Sequence, residues 1–168
     1  MAHTLQTIAA EGADGFYGGW VAEEIAKSNT AAGGVIRSMD LASYRIQART
    51  PIEGSYRGLK VISMPPPSSG GVHLVEMLNM LSHHDLAGMG WHSTRHLHVL
   101  AESMRRAFAD RAEYMADADF VEVPVAKLIA PGYGKTLSDS VDLQHATPSD
   151  EVKPGALFLK EREHTTHI

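Results

Sequence analysis

Leu59-Lys60-Val61-Ile62-Ser63-Met64-Pro65-Pro66-Pro67-Ser68-Ser69-Gly70-Gly71-Val72-His73-Leu74-Val75-Glu76-Met77-Leu78-Asn79-Met80-Leu81 changes its structural period part-way along. Residues 59–64 read as a strand, central or edge. The three prolines that follow must be extended and non-helical. Ser68 or Ser69 can then cap a helix in which Leu74, Met77, Leu78 and Leu81 fall at i, i+3, i+4 and i+7. The Pro-Pro-Pro-Ser-Ser-Gly-Gly link reads as a stiff strand-to-helix connection, with a polyproline-II docking site as the other reading, so the chain reads as mixed α and β. As a phosphate loop it lacks the Gly-Lys-Ser/Thr ending of the Walker pattern.

Working outward, residues 45–50 read as a second strand, joined to the first through Glu53-Gly54-Ser55-Tyr56-Arg57-Gly58. Ser38 is placed to cap a single helical turn over 39–44, with Asp40 near its positive end. Residues 4–10 and 18–28 read as helices separated by a Gly12-Ala13-Asp14-Gly15 loop. The second would bury Val21, Ala22 and Ile25 and expose Glu23, Glu24 and Lys27. Downstream, a long helix is expected over 94–115. Leu97, Leu100, Met104, Phe108 and Met115 would be buried, with Arg105, Arg106, Asp110 and Glu113 facing water. Pro124 and Pro131 punctuate two short helical pieces, and from Thr147 the chain reads as an exposed approach to the C-terminus. There is no internal repeat, and one domain or one piece of a domain fits better than two.

Composition narrows the function. Of 168 residues 43% are hydrophobic and 21% charged, enough for a real core. Fifteen Lys and Arg against 20 Asp and Glu leave a net charge of −5, which argues against a nucleic-acid partner. No run approaches the roughly 18 apolar residues of a membrane-spanning helix. Met1-Ala2-His3-Thr4-Leu5 has no basic segment followed by an apolar run, so no signal peptide is expected in this chain. The absence of cysteine excludes disulfides, thiolate metal sites and a thiol nucleophile from this sequence. His92 and His96 stand four apart, as helix-borne metal ligands do, but no third ligand is suitably spaced. The pair reads as solvated, and His83-His84-Asp85 as a helix C-terminus. No metal or organic cofactor is expected.

Glu161-Arg162-Glu163-His164-Thr165-Thr166-His167-Ile168 reads by itself as a polar tail in which two threonines begin a strand. A threonine hydroxyl is a weak nucleophile until a base is held beside it, and an N-terminal threonine can supply its own α-amine.

In order and spacing, several segments together resemble a γ-glutamyltransferase (γ-glutamyl transpeptidase, glutathione hydrolase). They are Gly12-Ala13-Asp14-Gly15-Phe16-Tyr17, Gly33-Gly34, Asp40-Leu41-Ala42-Ser43-Tyr44, Arg49-Thr50-Pro51-Ile52, Tyr56-Arg57-Gly58, Met64 through Gly71, Ala109-Asp110-Arg111-Ala112-Glu113-Tyr114 and Thr165-Thr166-His167. The resemblance implies an α+β chain forming part of an N-terminal-nucleophile hydrolase αββα sandwich, incomplete without its small subunit. It implies a precursor that cuts itself between His164 and Thr165, with Thr165 then the catalytic nucleophile. Residues 1–164 would be the C-terminal part of the large subunit and 165–168 the first residues of the small one. The arginine that holds the substrate's α-carboxylate is expected before Met1, and the rest of the glutamate pocket and the oxyanion hole after Ile168.

The substrates implied are glutathione and related γ-glutamyl compounds, with water, amino acids or peptides as acceptors and no cofactor. The implied location is periplasmic or secreted. The chain by itself is expected to be inactive. Two other readings stay open: an acylase of the cephalosporin-acylase type on the same architecture, and a non-catalytic remnant that packs against a separate small subunit.

Overall fold

The computed structural model describes residues 1–156, which fall into two compact units, Met1–Ala48 and the chain from Arg49 onward. The first unit is helical: α1 (Ala2–Glu11), α2 (Asp14–Tyr17), α3 (Gly19–Ala31) and α4 (Ser38–Ser43). On α3, Val21 and Ala22 are buried and Glu23, Glu24 and Lys27 exposed as expected, while Ile25 is half-buried and Ala26 takes the buried place beside it. Thr7 of α1 is buried and its hydroxyl accepts the Trp20 indole N–H at 3.2 Å. The expected loop over 12–15 is partly helical, since α2 begins at Asp14, whose carboxylate suits a helix start. Ser38 is the first residue of α4 and not its cap. Asp40 instead accepts the Arg37 backbone N–H at 2.7 Å, the reciprocal half of a capping box.

The second unit comprises β1 (Ile52–Tyr56), β2 (Leu59–Ser63), α5 (Gly70–Leu81), α6 (Thr94–Tyr114), α7 (Val125–Leu128) and α8 (Pro131–Asp139). The strands pair antiparallel with Tyr56 opposite Leu59, so Arg57 and Gly58 alone make the turn. Both have positive φ, +50° and +85°, the requirement of a two-residue turn matched to strand twist. The strand expected over 45–50 is irregular backbone, and most of the expected connection over 53–58 is the strand β1. Glu53 and Gly54 read as turn residues by propensity, but pairing with β2 decides their conformation.

Helix α5 packs on the hairpin, α6, α7 and α8. Val72 and Val75 join Ile52 and Leu128 in one core cluster, and Met80 joins Ala107 and Leu137 in another. The expected stripe has the right period and the wrong phase. Leu74 is exposed and Met77 and Leu78 half-buried, while His73, Glu76 and Asn79 are buried; Leu81 is buried as expected. Helix α6 repeats the inversion: Leu97, Met104 and Phe108 are exposed, Leu100 and Met115 half-buried, and Glu102, Arg106 and Asp110 buried. Arg105 is half-buried, and Glu113 faces water as expected. On α6, Glu102, Arg106 and Asp110 go inside because each meets a hydrogen-bonding partner there, which offsets the usual penalty for burying them. Among the described residues, no helix is long and apolar enough to cross a membrane.

Candidate functional site

His164 and Thr165, the predicted cleavage pair, lie outside the described residues. What is described is the chain leading towards them. It is mostly exposed, as expected, and two buried polar groups along α6 hold it at Thr147 and Gly155.

The first group centres on Glu102. Its carboxylate accepts from Arg106 Nη1 at 2.6 Å, Arg105 Nη1 at 2.7 Å, the Thr147 hydroxyl at 2.6 Å and the Thr147 backbone N–H at 3.2 Å. Arg106 also donates to the Ser140 hydroxyl and carbonyl, both at 2.8 Å. Burial opposes ionisation of Glu102, but hydrogen bonds from Thr147 and Arg106 outweigh it and hold the carboxyl at about 2. This is a fully bonded buried ion pair, and its second task is to fix the chain at 140 and 147.

The second group lies two turns further along α6 and contains His73, Glu76, Asp110 and Tyr133. Tyr133 donates its hydroxyl proton to Asp110 Oδ2, and Asp110 Oδ1 accepts the backbone N–H of Gly155 at 2.7 Å. Tyr114, one turn on, donates to the Gly155 carbonyl at 2.6 Å. Glu76 Oε2 lies 2.6 Å from His73 Nδ1. Burial first, then the Asp110 carboxyl beside it, push Glu76 up to about 9, and burial lowers His73. Both directions favour a neutral pair at pH 7. Burial and the Asp110 carboxyl likewise raise Tyr133, so its hydroxyl stays a donor. Glu76 Oε1 and His73 Nε2 are buried without a partner.

Asp110 was expected to face water, and neither His73 nor Glu76 drew notice in the sequence. One signal was available: Glu102, Arg106 and Asp110 recur every four residues, a polar stripe at helical period. The other candidates behave as scaffold. His92 precedes α6 with φ +56° and stacks on Trp91, so it shares no helical face with His96. His84 is lowered by burial and hydrogen-bonds the Ser138 hydroxyl at 2.9 Å. At the proline link, Ser68 rather than Ser69 accepts the Gly70 N–H, at 3.3 Å, and Ser69 accepts from Arg111 Nε at 2.9 Å. Among the described residues, no three His, Asp or Glu side chains are grouped to hold a metal ion.

Hairpin, helix pair and anchored tail together form part of a fold seen in enzymes that mature from single-chain precursors. Matched along residues 1–168 by the gamma-glutamyltranspeptidase family model, the chain belongs to that family. It is 46% identical to the glutathione hydrolase proenzyme of Escherichia coli (strain K12) over 99% of its length, and 44% identical to the acylase ACY 1 proenzyme of Pseudomonas sp. (strain SE83) over the same share. The gamma-glutamyltranspeptidase structure from Helicobacter pylori superposes with a TM-score of 0.87 at 49% identity, covering 97% of this chain and 47% of that one. A cephalosporin acylase from Bacillus halodurans superposes at 0.73 and 28% identity, covering 84% of this chain and 26% of that one. The fold is accordingly α+β, a portion of the N-terminal-nucleophile hydrolase sandwich. The chain spans 29% of the length of either proenzyme.

Proposed function

We propose that this chain is part of a self-processing γ-glutamyltransferase, residues 1–164 ending the large subunit and Thr165 opening the small one. The observation that carries the reading is the family match, which runs through the Thr165-Thr166-His167 segment at this level of identity. In the first stage the Thr165 hydroxyl oxygen attacks the His164 carbonyl carbon. The peptide C–N bond breaks, the carbonyl carbon is left in an ester to Thr165, and its nitrogen becomes the free α-amine. Water then hydrolyses the ester, leaving a carboxylate on His164. In the second stage that α-amine is the base and the same hydroxyl the nucleophile. Attack on the γ-glutamyl amide of glutathione or a related compound expels the amine and leaves a γ-glutamyl ester on Thr165. Water completes hydrolysis, and an amino acid or peptide completes transfer. No cofactor takes part. The partner is the small subunit of the same precursor, and the location in keeping with the family is periplasmic or secreted.

Thr165→Ala in the complete precursor is the test. The variant is expected to express as one uncut chain with no γ-glutamyl transfer, whereas Thr165→Ser keeps partial processing. Two subunits from the alanine variant on a denaturing gel would overturn the assignment.

The 44% identity to an acylase proenzyme supports a second reading with the same nucleophile and a different acyl group. Parallel assays of the processed protein on a γ-glutamyl anilide and on an acyl-cephalosporin separate the two. Preference for the anilide supports the first, and preference for the cephalosporin the second.

A further inference from the structure

The geometry points to Asp110, Tyr114 and Tyr133 as positioning residues for self-processing: they grip the Gly155 peptide and set the course of the segment that leads, ten residues on, to Thr165. The inference rests on the reading of Thr165 as the cleaved residue.

Three independent contacts meet at Gly155. Its N–H is taken by a carboxylate with no solvent exposure, Asp110 Oδ1 at 2.7 Å. Its carbonyl is taken by the Tyr114 hydroxyl at 2.6 Å. Its missing side chain matters as much, for a Cβ there would collide with the phenol oxygen of Tyr133. That phenol in turn donates to the other oxygen of Asp110. The residue is therefore held on both polar edges, and any side chain there would have to displace the Tyr133 ring. Seven of the nine residues 148–156 are exposed, and Gly155 is one of the two that are not. The buried Asp110 carboxylate thus joins this loop amide to Tyr133 of α8.

An acyl shift needs the hydroxyl and the preceding carbonyl held in attack geometry, and misplacement by about 1 Å can cost 100-fold. A tail that is free along its approach cannot be held so. Fixing Gly155 gives the chain an anchored point ten residues before Thr165.

The experiment is a time course of subunit appearance in the complete precursor, with Thr165→Ala as the uncut control. Gly155→Ala is expected to slow processing by on the order of 100-fold. Tyr114→Phe, which keeps the ring and loses one hydrogen bond, is expected to slow it by roughly 3- to 10-fold, and Asp110→Asn by an amount between the two. The discriminating readout is turnover per free N-terminal threonine in the fraction that does mature. A positioning role leaves this and the melting temperature of Tyr114→Phe within about twofold and about 2 °C of wild type. Wild-type processing rates in all three variants would overturn the proposal. So would a loss of turnover and melting temperature in step with processing, which would make the cluster ordinary scaffold. Maturation of the Thr165→Ala control would refute the nucleophile instead, an outcome separate from either.

Discussion

Glu76 and Glu102 are both buried carboxyls, on neighbouring helices, and they differ in sign. Glu102 has Arg105, Arg106 and Thr147 around it and is held ionised; Glu76 has a neutral imidazole and another carboxyl and keeps its proton. The consequences for stability are opposite. From its ordinary value of 4.5 up to about 9, Glu76 stays protonated in the fold while the unfolded chain releases its proton. The folded state then binds more protons, so this group lowers stability as pH rises, with a limiting slope of about 1.4 kcal/mol per pH unit. Glu102 is ionised in both states above 4.5, and its contribution is lost as pH falls from there through about 2. Glu76→Gln keeps a donor for His73 and removes the titration. Its melting temperature is expected to gain on wild type steadily between pH 5 and 9, and parallel curves across that range would show that Glu76 ionises freely.

Among the elements, α3 was largely legible in the sequence, because its charged side chains Glu23, Glu24 and Lys27 stay at the surface, where Lys27 and Glu24 pair with each other. On α5 and α6 the period could be read but the phase could not. Both helices carry apolar side chains on two faces, so hydrophobicity alone does not choose which turns inward. The choice is made by partners distant in sequence: Asp110 meets Tyr133 and Gly155, and Glu102 meets Thr147. Strand β1 was lost for a related reason, since pairing with β2 overrides the turn-like look of Glu53 and Gly54. The inverted phase is measurable. Met80→Ala opens the buried cluster with Ala107 and Leu137 and is expected to cost about 2–5 kcal/mol. Phe108→Ser, at a side chain 55% exposed, is expected to fall within about 0.5 kcal/mol in the 168-residue chain. Both are read from denaturant melts of this chain, and equal costs would restore the phase expected from sequence.

Across the whole molecule, the part of the site visible in sequence and the part visible in structure do not overlap. Thr165 is proposed through a family motif, whereas the Gly155 anchorage emerges only when residues 40 or more positions apart come together. A nucleophile draws its rate from an oriented base, an oxyanion hole and a positioned substrate. In the 168-residue chain only Thr166, His167 and Ile168 follow Thr165, and its nitrogen is tied into the peptide bond to His164. This chain alone is therefore expected to release no product from a γ-glutamyl anilide above a heat-killed control. Its intact mass is expected to stay constant over days of incubation. Loss of a mass equal to residues 165–168 would show that it can cut itself unaided.

The Arg57-Gly58 hairpin also bears on how long the folded molecule lasts. Two strands of five residues are marginal by themselves, and this pair gains its burial through Ile52 and Val61 against Val72, Val75 and the distant Leu128. That reward needs α5 and α7 in place, so the hairpin is expected to dock late in folding. Interactions made that late slow escape from the native state without hastening arrival at it. In kinetic terms the turn is expected to act as a latch, with substitutions in it speeding unfolding more than they slow folding.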